Sequence, residues 1–159
     1  MNLNFDKTVN SFVRAAEKNK VKMILVGGGA VNFHGYLRHS ADIDFWIDVS
    51  DENLKNLLAT LKDIGYKLED FPEKVKKGKQ NISLKISPLF EMELITNFNP
   101  GKTFTEAFNQ SILFEKGDLK YRILSFNDLI NSKIVSDRAK DKLDIEELQR
   151  IKINRNKKT

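Results

Sequence analysis

Apolar residues recur at helical spacing at the start of the chain, where Phe5, Val9, Phe12, Val13 and Ala16 predict an amphipathic helix ending near Asn19. The period then changes. Lys22 to Val26 is a short apolar run that stops at Gly27-Gly28-Gly29, and the AVNFHGY that follows predicts a short helix before Gly35. Asp42 to Val49 alternates strictly, with Asp42, Asp44, Trp46 and Asp48 on one strand face and Ile43, Phe45, Ile47 and Val49 on the other. The aliphatic face is the one expected to be buried.

Ser50 is placed to cap a helix with a stripe of Leu54, Leu57, Leu58, Leu61 and Ile64, and Gly65 supplies its left-handed stop. Lys67 to Gln80 carries Pro72 and Gly78 without periodicity and is expected to be a loop or distorted strand. Ile82, Leu84 and Ile86 alternate, as do Phe90, Met92 and Leu94 after the break at Ser87-Pro88, which predicts two more strands. A short helix over Thr103–Ser111, two strands around Lys116-Gly117-Asp118, a helix capped by Ser125 with Asp128, and a last helix from about Asp141 to Ile151 complete the reading. The elements describe one α/β (α+β) domain over residues 1–150, a small mixed sheet flanked by helices. Residues 151–159 read as a basic, solvated tail.

Composition narrows the picture. The 159 residues contain no cysteine, which excludes disulfides and thiolate metal sites. No apolar run approaches the ~20 residues needed to span a bilayer, and the first residues are too polar for a signal peptide. A cytoplasmic protein without a membrane partner is expected. The net charge of +5 favours an anionic partner such as RNA or a nucleoside triphosphate, and five of the cations fall in the last ten residues.

Candidate chemistry lies between Ile24 and Asp48. Glycines after a strand let backbone approach a phosphate, and a helix that starts there directs free N–H groups at the anion. Asp42 and Asp44 on one strand face lie about 7 Å apart, close enough to share a hard cation such as Mg²⁺. Glu93, on a neighbouring strand, is placed to complete a two-metal site in which one ion activates an attacking hydroxyl and the other neutralises leaving pyrophosphate. Glu91, one pleat repeat away, is the alternative. A dinucleotide site is not expected because Asn32 occupies the third glycine position, and a P-loop lacks its Gly-Lys-Ser/Thr. Trp46 either stacks a base or packs at a sheet edge, and His34 and His39 read as local hydrogen-bonding groups.

A glycine pair ending one strand, a short helix, then Asp42-Ile43-Asp44 on the next strand resembles the polymerase-β-type nucleotidyltransferase superfamily. The longer string GGGAVNFHGYLRHSADIDFWID, with Arg38 and Ser40 before the aspartates, resembles a small bacterial subgroup that includes abortive-infection (type IV toxin-like) proteins. Glu93-Leu94-Ile95-Thr96 and the segment from Ser125 to Leu148, with Lys133, Arg138, Lys140-Asp141 and Asp144, extend the resemblance over residues 21 to 150.

The resemblance implies a nucleotidyltransferase fold with C-terminal helices closing the cleft, and transfer of a nucleoside monophosphate from a triphosphate to a hydroxyl acceptor. That acceptor would be a tRNA, a protein or a small molecule. It also implies Mg²⁺ (or Mn²⁺) held by Asp42, Asp44 and Glu93, nucleotide contacts from Gly27, Gly28, Arg38, Ser40, Lys133 and Arg138, and a cognate antitoxin as partner. Glu93 stands where the subgroup usually has Asp. That departure leaves open a fold that binds nucleotide or RNA without turnover.

Overall fold

A computed structural model describes residues 7–37, 42–85 and 91–158. Arg38, His39, Ser40 and Ile86 to Phe90 lie outside the described residues, as does Phe5.

Helix α1 (Lys7–Lys18) buries Val9, Phe12, Val13 and Ala16, the stripe that its spacing predicts. It leads into β1 (Met23–Val26), which is buried throughout and passes directly into α2 (Gly27–Phe33). The three glycines form the first turn of that helix rather than a loop before it. Strand β2 (Ile43–Ile47) carries Asp44, and α3 (Asp51–Asp63) follows with Ser50 accepting a hydrogen bond from the Asn53 amide. Gly65 takes a φ of 103°, the left-handed stop expected of it.

The segment expected to be a loop or distorted strand holds a one-turn helix, α4 (Glu73–Lys76), pinned by buried Phe71 and Val75. Strands β3 (Ile82–Lys85) and β4 (Glu91–Ile95) are followed by α5 (Phe104–Gln110), whose capping box joins Thr103 and Glu106. The hairpin of β5 (Ile112–Lys116) and β6 (Leu119–Ile123) precedes α6 (Phe126–Ser136) and α7 (Ala139–Lys157). The last helix therefore runs through the residues expected to be a tail. It is anchored by Leu148 at the core and by Lys152, whose ammonium sits 4.6 Å from the Phe126 ring centroid.

The six strands form one mixed sheet in the order β3-β4-β2-β1-β6-β5. Strands β1 and β2 are antiparallel, whereas β2–β4 and β1–β6 are parallel. The sheet is covered on both faces. Phe45 packs towards Phe12 of α1 and Tyr121, while Trp46 packs against Phe98 and Phe104 with ring centroids 5.1 and 5.0 Å away. Trp46 is thus buried on a central strand, neither at a sheet edge nor available to stack a base, because α5 and the chain before it close over that part of the face. Burying large side chains such as Phe12 and Phe45 contributes roughly 1.5–3 kcal/mol each. Among the described residues no helix is long and apolar enough to cross a membrane.

Candidate active site

The C-terminal end of β1 and the start of β2 meet where Val26 pairs with Asp44. On its other side β2 runs parallel to β4, and the register sets Asp44 beside Glu93. Both carboxylates share the sheet face that carries Trp46 and Ile95 further along the strands. Asp42 lies just before β2 and is exposed.

Gly27 closes the site from above. Its φ is 59°, and a Cβ built there would lie 2.5 Å from the Asp44 Oδ2. A side chain at this position is therefore opposed twice, by the left-handed backbone and by the carboxylate underneath. Gly29 is glycine for a different reason, since a Cβ there would come within 2.9 Å of the Leu25 Cδ1. It is a packing position. Gly28 faces the cleft with Gly27.

Glu93 is oriented by its neighbours. Asn81 Nδ2 donates to Glu93 Oε1 at 3.1 Å, while Asn81 Oδ1 accepts from the Thr96 amide at 3.0 Å. Thr96 Oγ1 donates in turn to the Gln80 carbonyl at 2.9 Å. Glu91, by contrast, is exposed and registers with Lys85.

The carboxylates open into a cleft of about 520 Å³, walled opposite by Ser132, Lys133, Ser136, Arg138 and Lys140 from α6 and the start of α7. The C-terminal helices do close the cleft. Burial, then the charges of Glu93 and Asp42, push the Asp44 carboxyl up to about 6, with Lys140 pulling the other way. At Asp44 the two neighbouring carboxylates outweigh the pull of Lys140. Among the described residues no group of three or more His, Asp or Glu side chains is gathered into a ready ion cage. The donor chemistry nonetheless suits a hard divalent cation, whose charge would relieve the crowding around Asp44.

Paired acids on adjacent strands under a glycine turn form the core of the site. The chain belongs to a family described as nucleotidyltransferases of unknown function (DUF6036). The family's model matches residues 4–154, so membership rests on almost the whole chain. No curated protein matches it significantly. The six-stranded mixed sheet with its seven helices among the described residues is consistent with a nucleotidyltransferase fold.

Within this nucleotidyltransferase fold the residues expected to contact nucleotide separate into distinct groups. Gly27 and Gly28 line the cleft, and Arg38 and Ser40 lie outside the described residues. Arg138 lines the cleft with its guanidinium largely exposed, and its Nε donates to Asp141 at 2.8 Å. Lys133 lies on the cleft wall but is buried, with its ammonium 2.8 Å from Asp144 and 3.3 Å from Asp141. Asp141 and Asp144 are buried as its ion-pair partners. Burial opposes ionisation of Asp141, yet hydrogen bonds from Arg138 and Ser136 and the charge of Lys133 hold its carboxyl well below the usual range.

Several cleft residues were missed from the sequence, among them Asn81, Ser136 and Lys140. Asn81 and Ser136 gave no signal, because their roles depend on cross-strand and interhelix contacts. Lys140 had one, since it sits in the Lys140-Asp141 pair of the C-terminal signature. His34 is the local hydrogen-bonding group expected of it, with Nε2 2.8 Å from the Leu124 carbonyl.

Proposed function

We propose that this protein transfers a nucleoside monophosphate from a nucleoside triphosphate to a hydroxyl acceptor, with Mg²⁺ or Mn²⁺ bound by Asp42, Asp44 and Glu93. The observation that carries the reading is the registration of Asp44 with Glu93 directly below Gly27. Adjacent carboxylates on a floor with cations on the opposite wall suit a triphosphate with its divalent ions. In this reading the acceptor oxygen bonds to the α-phosphorus while the bond to pyrophosphate breaks, and the hydroxyl proton passes to a cleft carboxylate. Glu93 is assigned that role ahead of Glu91 because Glu93 faces the cleft. When bound, a pair of divalent ions supplies neutralisation of the phosphates and of the departing pyrophosphate.

Gly27 and Gly28 admit the triphosphate to close backbone contact, and Arg138, Lys140 and, by resemblance, Arg38 and Ser40 attend its charge. Lys133 is assigned to support the wall, since Asp141 and Asp144 engage its ammonium. An RNA acceptor such as tRNA accords with the net charge of +5. The resemblance to abortive-infection proteins further suggests a toxin with a cognate antitoxin.

The test is incubation of the purified chain with α-labelled triphosphates, Mg²⁺ or Mn²⁺, and total RNA, following label into RNA, protein and small products. Label transfer that is absent from the Asp44→Asn variant is expected. Triphosphate binding without transfer under every condition would instead identify a binding module that has lost turnover. The toxin reading requires in addition that expression arrest growth and that Asp44→Asn relieve the arrest.

A further inference from the structure

A second cavity, of about 290 Å³, lies at the opposite end of the sheet, where β1 and β6 begin. Lys20, Lys22, Lys120 and Arg122 line it, against one carboxylate, Glu17. Lys120 also approaches Glu115 at 3.5 Å. Among the described residues no carboxylate lies within ion-pair distance of Lys20, Lys22 or Arg122, so these three cations border the cavity without internal compensation. The Arg122 guanidinium carbon stands 4.8 Å from the centroid of the Phe108 ring, which braces the planar fork at the cavity wall.

Lys20 supplies an independent observation. It occupies the position after α1 at which the chain reverses, with a φ of 59°. Val21 N–H donates to the Ala16 carbonyl at 2.9 Å and Lys20 N–H to the Glu17 carbonyl at 3.1 Å, the bonding pattern of a Schellman motif. Glycine is the residue that this pattern favours, because the left-handed backbone is strained for a side chain. A lysine held there costs stability that glycine would not, and this residue lines the cavity.

We propose that this cavity is a phosphate-binding site, separate from the carboxylate cleft, that takes a phosphoryl group of a nucleic-acid strand or of a free phosphate compound. A phosphoryl group presents concentrated negative charge and several acceptor oxygens in a small volume, which matches two ammonium groups and a braced guanidinium. The site does not depend on transferase activity. It shares none of its lining residues with the cleft.

The experiment compares the full chain with Lys20→Gly and with Lys20→Gly/Lys22→Gln, using a labelled single-stranded RNA 12-mer and, separately, inorganic pyrophosphate. Lys20→Gly is expected to melt at a higher temperature than the parent and yet to bind more weakly, so that weaker binding cannot be ascribed to misfolding. If the phosphoryl group belongs to a strand, the double variant weakens RNA binding by about tenfold and flattens its salt dependence by about 0.7 in log–log slope for each phosphate no longer neutralised. If it belongs to a free compound, pyrophosphate binding falls and RNA binding does not. Folded variants that retain parental affinity for both probes would overturn the proposal.

Discussion

Asp44 and Glu93 stand opposite one another in the parallel β2–β4 ladder, and Asp44 also pairs with Val26, the residue before the left-handed Gly27. One residue therefore joins the acidic floor to the glycine turn. Its carboxyl is held up at about 6 by burial and by the charges of Glu93 and Asp42.

That shift has a measurable consequence for the metal-free protein. A carboxyl with a folded-state value above its unfolded one contributes stability when protonated. The contribution is complete below the unfolded value near pH 4 and is lost as pH rises through about 6. Asp44→Asn removes the penalty paid at high pH, so the variant should melt above the parent at pH 8 and converge with it near pH 4. With solvent screening of the partly exposed cluster allowed for, the gap corresponds to about 1 kcal/mol, or roughly 2–4 °C. Millimolar Mg²⁺ should narrow it by stabilising the parent. A gap that ignores both pH and Mg²⁺ in calorimetry would remove the carboxylate-crowding account.

Gly27→Ala tests the turn itself. The left-handed backbone alone should cost about 1–2 kcal/mol, and the new methyl meets the Asp44 Oδ2 at 2.5 Å. Transfer should fall far more than stability does, because the carboxylate must shift to make room. Gly29→Ala should instead disturb Leu25 packing and lower the melting temperature without this selective effect. Equal catalytic losses at the two positions, measured against melting, would contradict the assignment of Gly27 to the site.

Lys133, Asp141 and Asp144 offer a test of the opposite wall. Lys133→Met takes the buried ammonium from both carboxylates, leaving Asp141 only the largely exposed Arg138, and should destabilise by about 3–5 kcal/mol. Adding Asp144→Leu should recover much of that stability, since the second change removes a buried charge that Lys133 no longer offsets. Because Asp141 also holds Arg138, the single variant should raise the KM for triphosphate as well. Chemical denaturation of the single and double variants measures the coupling. Additive losses would show that the ions do not form one network.

The parts legible in the sequence are those with local causes. Strict alternation around Asp44 and Glu93 set their faces correctly, and Ser50 and Gly65 bounded α3 through short-range capping. Trp46 was harder, because alternation assigns it to the polar face while burial comes from Phe98 and Phe104 far along the chain. Asp141 and Asp144 precede Leu148 at helical spacing, so an acidic continuation of an apolar stripe was readable. The cation that answers it lies on another helix. The last turns of α7 lacked any apolar stripe to announce them, since their anchors are Phe126 and Gly35.

Those anchors change what truncation should do. Lys152 lies over the Phe126 ring at 4.6 Å, and Arg155 packs so closely on Gly35 that a Cβ there would meet its Nη2 at 2.7 Å. The end of α7 is docked on the body of the protein, so removing residues 152–159 strips a cation–π contact worth roughly 0.5–1 kcal/mol together with the Arg155 packing. A melting temperature lower by about 2–4 °C is expected. His34 gives an independent reading, because burial and the charge of Arg155 both lower its pKa, against the hydrogen bond to Leu124. With Arg155 gone, its titration midpoint should rise. Lys157→Gln/Lys158→Gln, which neutralises exposed cations without shortening the docked turns, should leave both melting and the His34 midpoint nearly unchanged. NMR titration of His34 in the three proteins separates a docked helix from a solvated tail. An unmoved midpoint and an unmoved melting temperature in the truncated chain would mean that these turns contribute charge and no packing.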